Sequence, residues 1–124
     1  MTKVFVYGTL RRGFGNYRRL LEGNSRFIGE AATPAEFTLL DLGSYPGLVR
    51  GGETAVHGEV FEVDAATLAR LDRLEGHPSF YERQGLTVQL GSETVQVQGY
   101  VLPESYRRRC DTIPSGVWGR VHAS

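Results

Sequence analysis

One cysteine, Cys110, stands in 124 residues, so no disulfide can close within this chain. A lone thiol fits a reducing compartment, and beside Arg109 it reads as an inert cysteine rather than a nucleophile. Net charge is absent as well, with 14 basic and 14 acidic side chains. That balance removes the field that draws proteins to nucleic acid or to anionic membranes. The one basic run, Arg107-Arg108-Arg109, reads as a solvated loop. Long apolar stretches are lacking: Val4-Phe5-Val6-Tyr7 ends at Gly8, too short for a signal segment or a membrane span. The expectation is a cytoplasmic protein with no nucleic-acid or membrane partner. Its histidines, His57, His77 and His122, show no metal-ligand spacing, so no metal is expected. Ser44 lies in Gly-Ser-Tyr-Pro-Gly, which is not the Gly-x-Ser-x-Gly nucleophile elbow.

What the chain has is the composition of one globular domain, residues 1–124, at 40% hydrophobic and 23% charged. Its 16 glycines point to many tight turns. Residues 4–7 read as a buried strand, and Asn16 as the cap of a short helix stopped by Gly23. Strands are expected over 26–31, 36–42 and 55–63, with residues 43–47 as a turn. The strongest helix signal starts at Asp64, carries Leu68, Leu71 and Leu74 as its apolar stripe, and stops at Gly76 and Pro78. A hairpin comes next, Leu86 to Leu90 and Val95 to Val101 around Gly91-Ser92. Residues 103–124 form a tail that Trp118 pins to the body. The pattern is α+β. Its helices are too few to cover both faces of a parallel sheet, which favours a curved, mostly antiparallel sheet or small β-barrel.

Two features point to chemistry. A helix turns ~100° per residue, which puts Glu75 ~40° from the middle of the leucine stripe and Asp72 ~100° from it. Glu75 then faces inward, at the negative end of the helix dipole, and both effects raise its pKa toward the range of a general acid/base. The competing outcome is a frayed end, with Glu75 in solvent or paired with Arg73, Arg83 or another arginine. The second feature is Tyr7-Gly8-Thr9-Leu10, a strand end breaking into a glycine-rich loop. Such a loop either offers backbone N–H groups to an anion or is an ordinary tight turn. It lacks the Gly-Lys-Ser/Thr ending of a P-loop, and Gly13-Phe14-Gly15 lacks the third glycine of a dinucleotide site. Tyr81 and Tyr100 read either as core aromatics or as site hydroxyls, with Tyr100 on the polar face it shares with Gln96 and Gln98.

Val4 to Gly13 resembles the opening signature of the gamma-glutamylcyclotransferase-like superfamily: a buried strand, then Tyr-Gly-Ser/Thr-Leu, a basic residue and a glycine. Leu71-Asp72-Arg73-Leu74-Glu75-Gly76, with Tyr81 and Arg83 after it, is similar to the segment bearing that family's catalytic glutamate. Gly58-Glu59-Val60-Phe61 resembles the strand before it. Ile113-Pro114-Ser115-Gly116-Val117-Trp118 is similar to the tail pattern of the gamma-glutamylamine branch, with Val117 where Asp is frequent.

The resemblance implies a small mixed-strand, mostly antiparallel β-barrel with two or more peripheral helices. It implies a cyclotransferase that releases 5-oxoproline from a small gamma-glutamyl substrate without metal or organic cofactor. Glu75 would be the acid/base. Tyr7, Gly8, Thr9 and Leu10 would cradle the substrate, with Tyr81 and Tyr100 nearby. A non-catalytic binding module in the same cavity and an amide hydrolase are the alternatives. Neither the leaving group nor the oligomeric state can be read from the sequence.

Overall fold

The computed structural model describes residues 1–119, so residues 120–124, His122 among them, lie outside the described residues. Five strands close a barrel: β1 (Thr2–Val6), β2 (Ser25–Ala32), β5 (His57–Val63), β6 (Glu82–Leu90) and β7 (Glu93–Val101). Their order is β1-β5-β2-β6-β7, and β1 returns to β7. The closing pair is parallel, Val4 opposite Gln98, while β1 meets β5 antiparallel with Val4 opposite Phe61. β2 crosses from β5 to β6 with an irregularity between Phe27 and Gly29, where the strand bends. β4 (Pro46–Arg50) lies parallel to β7 outside the barrel, and β3 (Phe37–Asp41) and β8 (Asp111–Thr112) extend the sheet beyond it.

The continuous apolar run of β1 is explained by burial on both faces. Val4 and Val6 join one core cluster, with Phe61, Leu71 and Tyr100. Phe5 and Tyr7 join a second, with Val60, Leu86 and Val97. The first cluster lies beneath α1 (Ala65–Glu75); the second is lined by strands. Gly58 lets β5 cross β1 closely, since a Cβ there would stand 2.2 Å from the Val6 carbonyl oxygen.

α1 begins as its sequence dictates. The Asp64 carboxylate accepts the Thr67 N–H at 2.8 Å, and Gly76 ends the helix in the left-handed conformation at φ 69°. Its buried stripe differs from the leucine stripe of the sequence: Thr67 and Leu71 are buried, Leu68 is half-buried and Leu74 is 37% exposed. The inward line therefore runs Thr67, Leu71, Glu75 at four-residue spacing, which turns Glu75 further inward.

Three other expectations need correction. Asn16 is itself helical, and its side chain caps nothing. The short helix beside it is a single π-helical turn, Tyr17–Leu21. Residues 46 and 47, read as a turn, open strand β4; the turn proper is closed by the Leu42 N–H donating to the Tyr45 carbonyl at 3.0 Å. Arg107 is not merely solvated. It donates to Thr38 Oγ1, the Arg50 and Gly51 carbonyls and the Glu104 carboxylate. Residues 103–119 lie against the body through β8, through the His57 N–H bonded to Gly116 O, and through Trp118, whose ring centroid is 5.6 Å from that of Phe14. No described helix is long and apolar enough to cross a membrane.

Candidate active site

β1 delivers its last residues to the edge of the barrel, where α1 also ends. There Tyr7, Gly8, Thr9, Leu10, Glu75, Tyr81 and Tyr100 all line one narrow hollow of about 30 Å³. Phe5, Val6, Tyr45 and Pro46 complete the lining. Tyr45 and Pro46 went unread in the sequence because they sit in a cluster of turn residues; their place depends on β4 pairing with strands far away in the chain.

Gly8 permits that closure. A Cβ on it would come within 2.8 Å of Pro46 Cδ, so only glycine lets β4 start against the loop. The loop is braced from several sides. Thr9 Oγ1 accepts from Asn16 Nδ2 at 2.8 Å, and the Arg12 N–H donates to Glu59 Oε1 at 2.9 Å. Arg11 donates to the Gly8 carbonyl at 3.2 Å and to the carbonyl of Trp118. The N–H groups of Gly8, Thr9 and Leu10 find no acceptor among the described residues. Gly8 and Leu10 are buried and Thr9 half-buried, all three along the wall of the hollow.

The tyrosine hydroxyls are committed within the protein. Tyr7 donates to the Tyr100 carbonyl at 2.7 Å and accepts the Leu48 N–H at 3.0 Å. Tyr81 donates to the Pro46 carbonyl, and Tyr100 to Asp72 Oδ1 at 2.7 Å. Burial first, then neighbouring carboxylates, raises the pKa of Tyr81 and Tyr100, keeping both neutral. Tyr100 thus fits both of its readings: its side chain belongs to the core, and it also lines the hollow.

Glu75 is different. Its carbonyl accepts the Tyr81 N–H at 3.2 Å, so the chain returning from α1 sets Tyr81 beside it. Its carboxylate has no hydrogen-bond or ion-pair partner among the described residues. Arg83, an available partner on sequence grounds, is held by Asp72 at 2.8 Å instead. Burial pushes the Glu75 carboxyl up to about 7. Among the described residues no three His, Cys, Asp or Glu side chains gather as metal ligands, and no described histidine lines this hollow.

The chain resembles known proteins along nearly its whole length. The family described as gamma-glutamyl cyclotransferase, AIG2-like, matches residues 4–120. A Vibrio cholerae protein, named provisionally as a gamma-glutamylcyclotransferase, is 44% identical over 115 residues, 93% of each chain. The gamma-glutamylcyclotransferase family protein YtfP of Escherichia coli K12 is 38% identical over 119 residues, covering 94% of this chain and 95% of that one. Among solved structures, an AIG2-like protein from mouse superposes with a TM-score of 0.82 at 29% identity, covering 98% of this chain and 90% of that one. With the barrel, the glycine loop and the inward glutamate all in place, the chain belongs to the gamma-glutamyl cyclotransferase, AIG2-like family.

Proposed function

We propose that this protein cyclises a gamma-glutamyl amide, releasing 5-oxoproline and an amine, with Glu75 carrying the proton. The observation behind this reading is one arrangement: an unpaired, half-buried carboxyl bordering the same hollow as the unpartnered N–H groups of residues 8–10.

The nucleophile is the substrate's own alpha-amine, which attacks the gamma-carbonyl and closes a five-membered ring. The C–N bond to the new ring forms, and the C–N bond to the leaving amine breaks. The alpha-ammonium gives up two protons on becoming the ring N–H, and the leaving nitrogen takes up two as it departs as an ammonium, so no water is consumed. Ionised Glu75 takes the first proton and returns it, a role worth typically ~10²–10⁴-fold. Folding the tethered substrate into an attacking geometry contributes up to ~7–11 kcal/mol of barrier lowering. The N–H groups of Gly8, Thr9 and Leu10 stabilise the oxygen that becomes negative, or anchor the substrate carboxylate. Tyr7, Tyr81 and Tyr100 shape the pocket without exchanging protons, because their hydroxyls are already engaged. The cytoplasm, with its reducing thiol chemistry and pool of small peptides, is the setting we assign to it.

The test is a direct assay of 5-oxoproline from gamma-glutamyl amides with the wild type and Glu75→Gln. Loss of about 10²-fold or more in the variant is expected. Unchanged activity removes Glu75 from the mechanism. Linear glutamate as product shows a hydrolase, and tight binding with no product shows a binding module.

A further inference from the structure

The narrow hollow opens outward into a wider one of about 360 Å³, with Thr9, Tyr45, Glu75 and Tyr81 in both walls. Asn16 stands in the wall of the wider hollow. A chain of hydrogen bonds leads from the exposed Arg19 to this wall. Arg19 Nη1 donates to Asn16 Oδ1 at 2.9 Å, and Asn16 Nδ2 donates to Thr9 Oγ1 at 2.8 Å.

The outer end fixes the direction of that chain. A guanidinium carries donors only, so the Asn16 atom facing Arg19 must be the oxygen. The opposite flip would set N–H against N–H there. The amide nitrogen is then left for Thr9, whose oxygen accepts and whose own proton must turn elsewhere. That proton meets no acceptor among the described residues. Three buried threonines differ: Thr33, Thr38 and Thr67 donate their hydroxyls to the carbonyls of Pro34, Gly51 and Asn24. Thr9 borders both hollows, and that space is where an acceptor can reach its proton.

On the proposed function, Glu75 exchanges protons with the alpha-nitrogen and the leaving nitrogen. Both nitrogens are bonded to the gamma-carbon as the ring closes. The oxygen on that carbon gains negative charge close to Glu75 and calls for donors. We propose that the Thr9 hydroxyl donates to this oxygen, and that Asn16, held by Arg19, is a positioning residue that keeps the hydroxyl a donor. The proposal rests on the cyclotransferase reading and adds these residues to it. Thr9 gives a hydrogen bond and keeps its proton throughout. Asn16 and Arg19 act only through Thr9.

The experiment measures kcat and KM for 5-oxoproline release from gamma-glutamyl methylamide and gamma-glutamyl-alanine. Each protein is assayed on its own pH plateau, so a shifted Glu75 ionisation does not enter, and urea midpoints confirm folding. Thr9→Val keeps the shape and deletes the donor. Its kcat should fall about 10²-fold with KM changed less than about threefold, because the bond strengthens in the transition state. Thr9→Ser restores a hydroxyl and should regain at least about tenfold over Thr9→Val. Asn16→Asp separates positioning from bracing. It keeps the shape and strengthens the tie to Arg19, but its carboxylate can only accept. The Thr9 proton then turns away from substrate, and kcat should fall about tenfold or more with stability retained. In the Thr9→Val background the same change should cost little more, since the hydroxyl it redirects is already gone. Wild-type kcat in Thr9→Val or in Asn16→Asp overturns this inference and leaves cyclotransferase activity standing. A rise in KM alone does the same, as does a full further fall in the double variant. No 5-oxoproline from the wild type with either amide overturns both.

Discussion

Asp72 and Glu75 stand within one turn of α1, and the fold treats them in opposite ways. Burial works against ionised Asp72, but hydrogen bonds from Arg83 and Tyr100 and the Arg83 charge outweigh it, and its pKa falls below the ordinary carboxylate value. Glu75 receives no such partner, and burial alone raises it to about 7. Two carboxylates three residues apart thus end in opposite ionisation tendencies, one engaged by Arg83 and Tyr100 and the other without a partner among the described residues.

Glu75 should cost the protein stability. Moving its carboxyl from 4.5 to about 7 makes the ionised form roughly 3 kcal/mol unfavourable in the folded state. The folded pKa is raised, so the penalty is absent below pH 4.5, grows as the pH climbs, and is complete above about 7. Glu75→Gln is therefore expected to be more stable than the wild type by up to about 3 kcal/mol at pH 8 and about equal at pH 4. Urea unfolding at both values measures this; a variant less stable at pH 8 refutes it.

The same group sets a pH profile. A base must be ionised to act, so kcat/KM should rise with pH and level off above about 7. A descending limb is expected where the substrate's own ammonium loses its proton. Rates independent of pH between 5 and 8 would contradict the role given to Glu75.

Asp72→Asn should release Arg83 and leave the Tyr100 hydroxyl with a weaker acceptor. Charge-assisted bonds are worth about 1–3 kcal/mol, and the Asp72 side chain is 21% exposed, which favours the lower part of that range. Because the Asp72 pKa is depressed, its contribution is present at neutral pH and lost as acid protonates it. The loss should appear as a lower urea midpoint at pH 7 that shrinks toward acid; a variant as stable as the wild type at pH 7 would refute it.

Tyr7→Phe keeps the ring and deletes one oxygen. That oxygen serves both the Leu48 N–H and the Tyr100 carbonyl, so two backbone groups lose a partner at once. A loss of about 1–3 kcal/mol per stranded group is expected, read as a lower urea midpoint. Activity per folded molecule should change little, because the hydroxyl has no proton to offer. A large fall in kcat with stability intact would instead give that hydroxyl a direct role.

The fold and its site were legible in the sequence to different depths. β1, the Asp64 cap, the Gly76 stop and the β6–β7 hairpin obey local rules, and they appear where those rules put them. Glu75 was legible because a helix fixes which residues share a face. The stripe itself was displaced: Thr67 took a buried position and Leu74 faces out, since the docking surface, not the residue type, chooses the centre of the buried face. β4 was hidden by Pro46 and Gly47, which read locally as a turn; Leu48 opposite Val101 makes it a strand. Asn16 had the side chain of a helix cap, and only the folded loop shows it bonded to Thr9. Such partners lie across the chain, and no local pattern announces them.

Arg11 joins the Gly8 carbonyl to the carbonyl of Trp118, more than a hundred positions away. The bend that follows β1 is thus moulded partly by the opposite stretch of polypeptide. Anyone transplanting residues 8–16 between members of this family should transplant 113–119 in the same step, because half a clasp holds nothing.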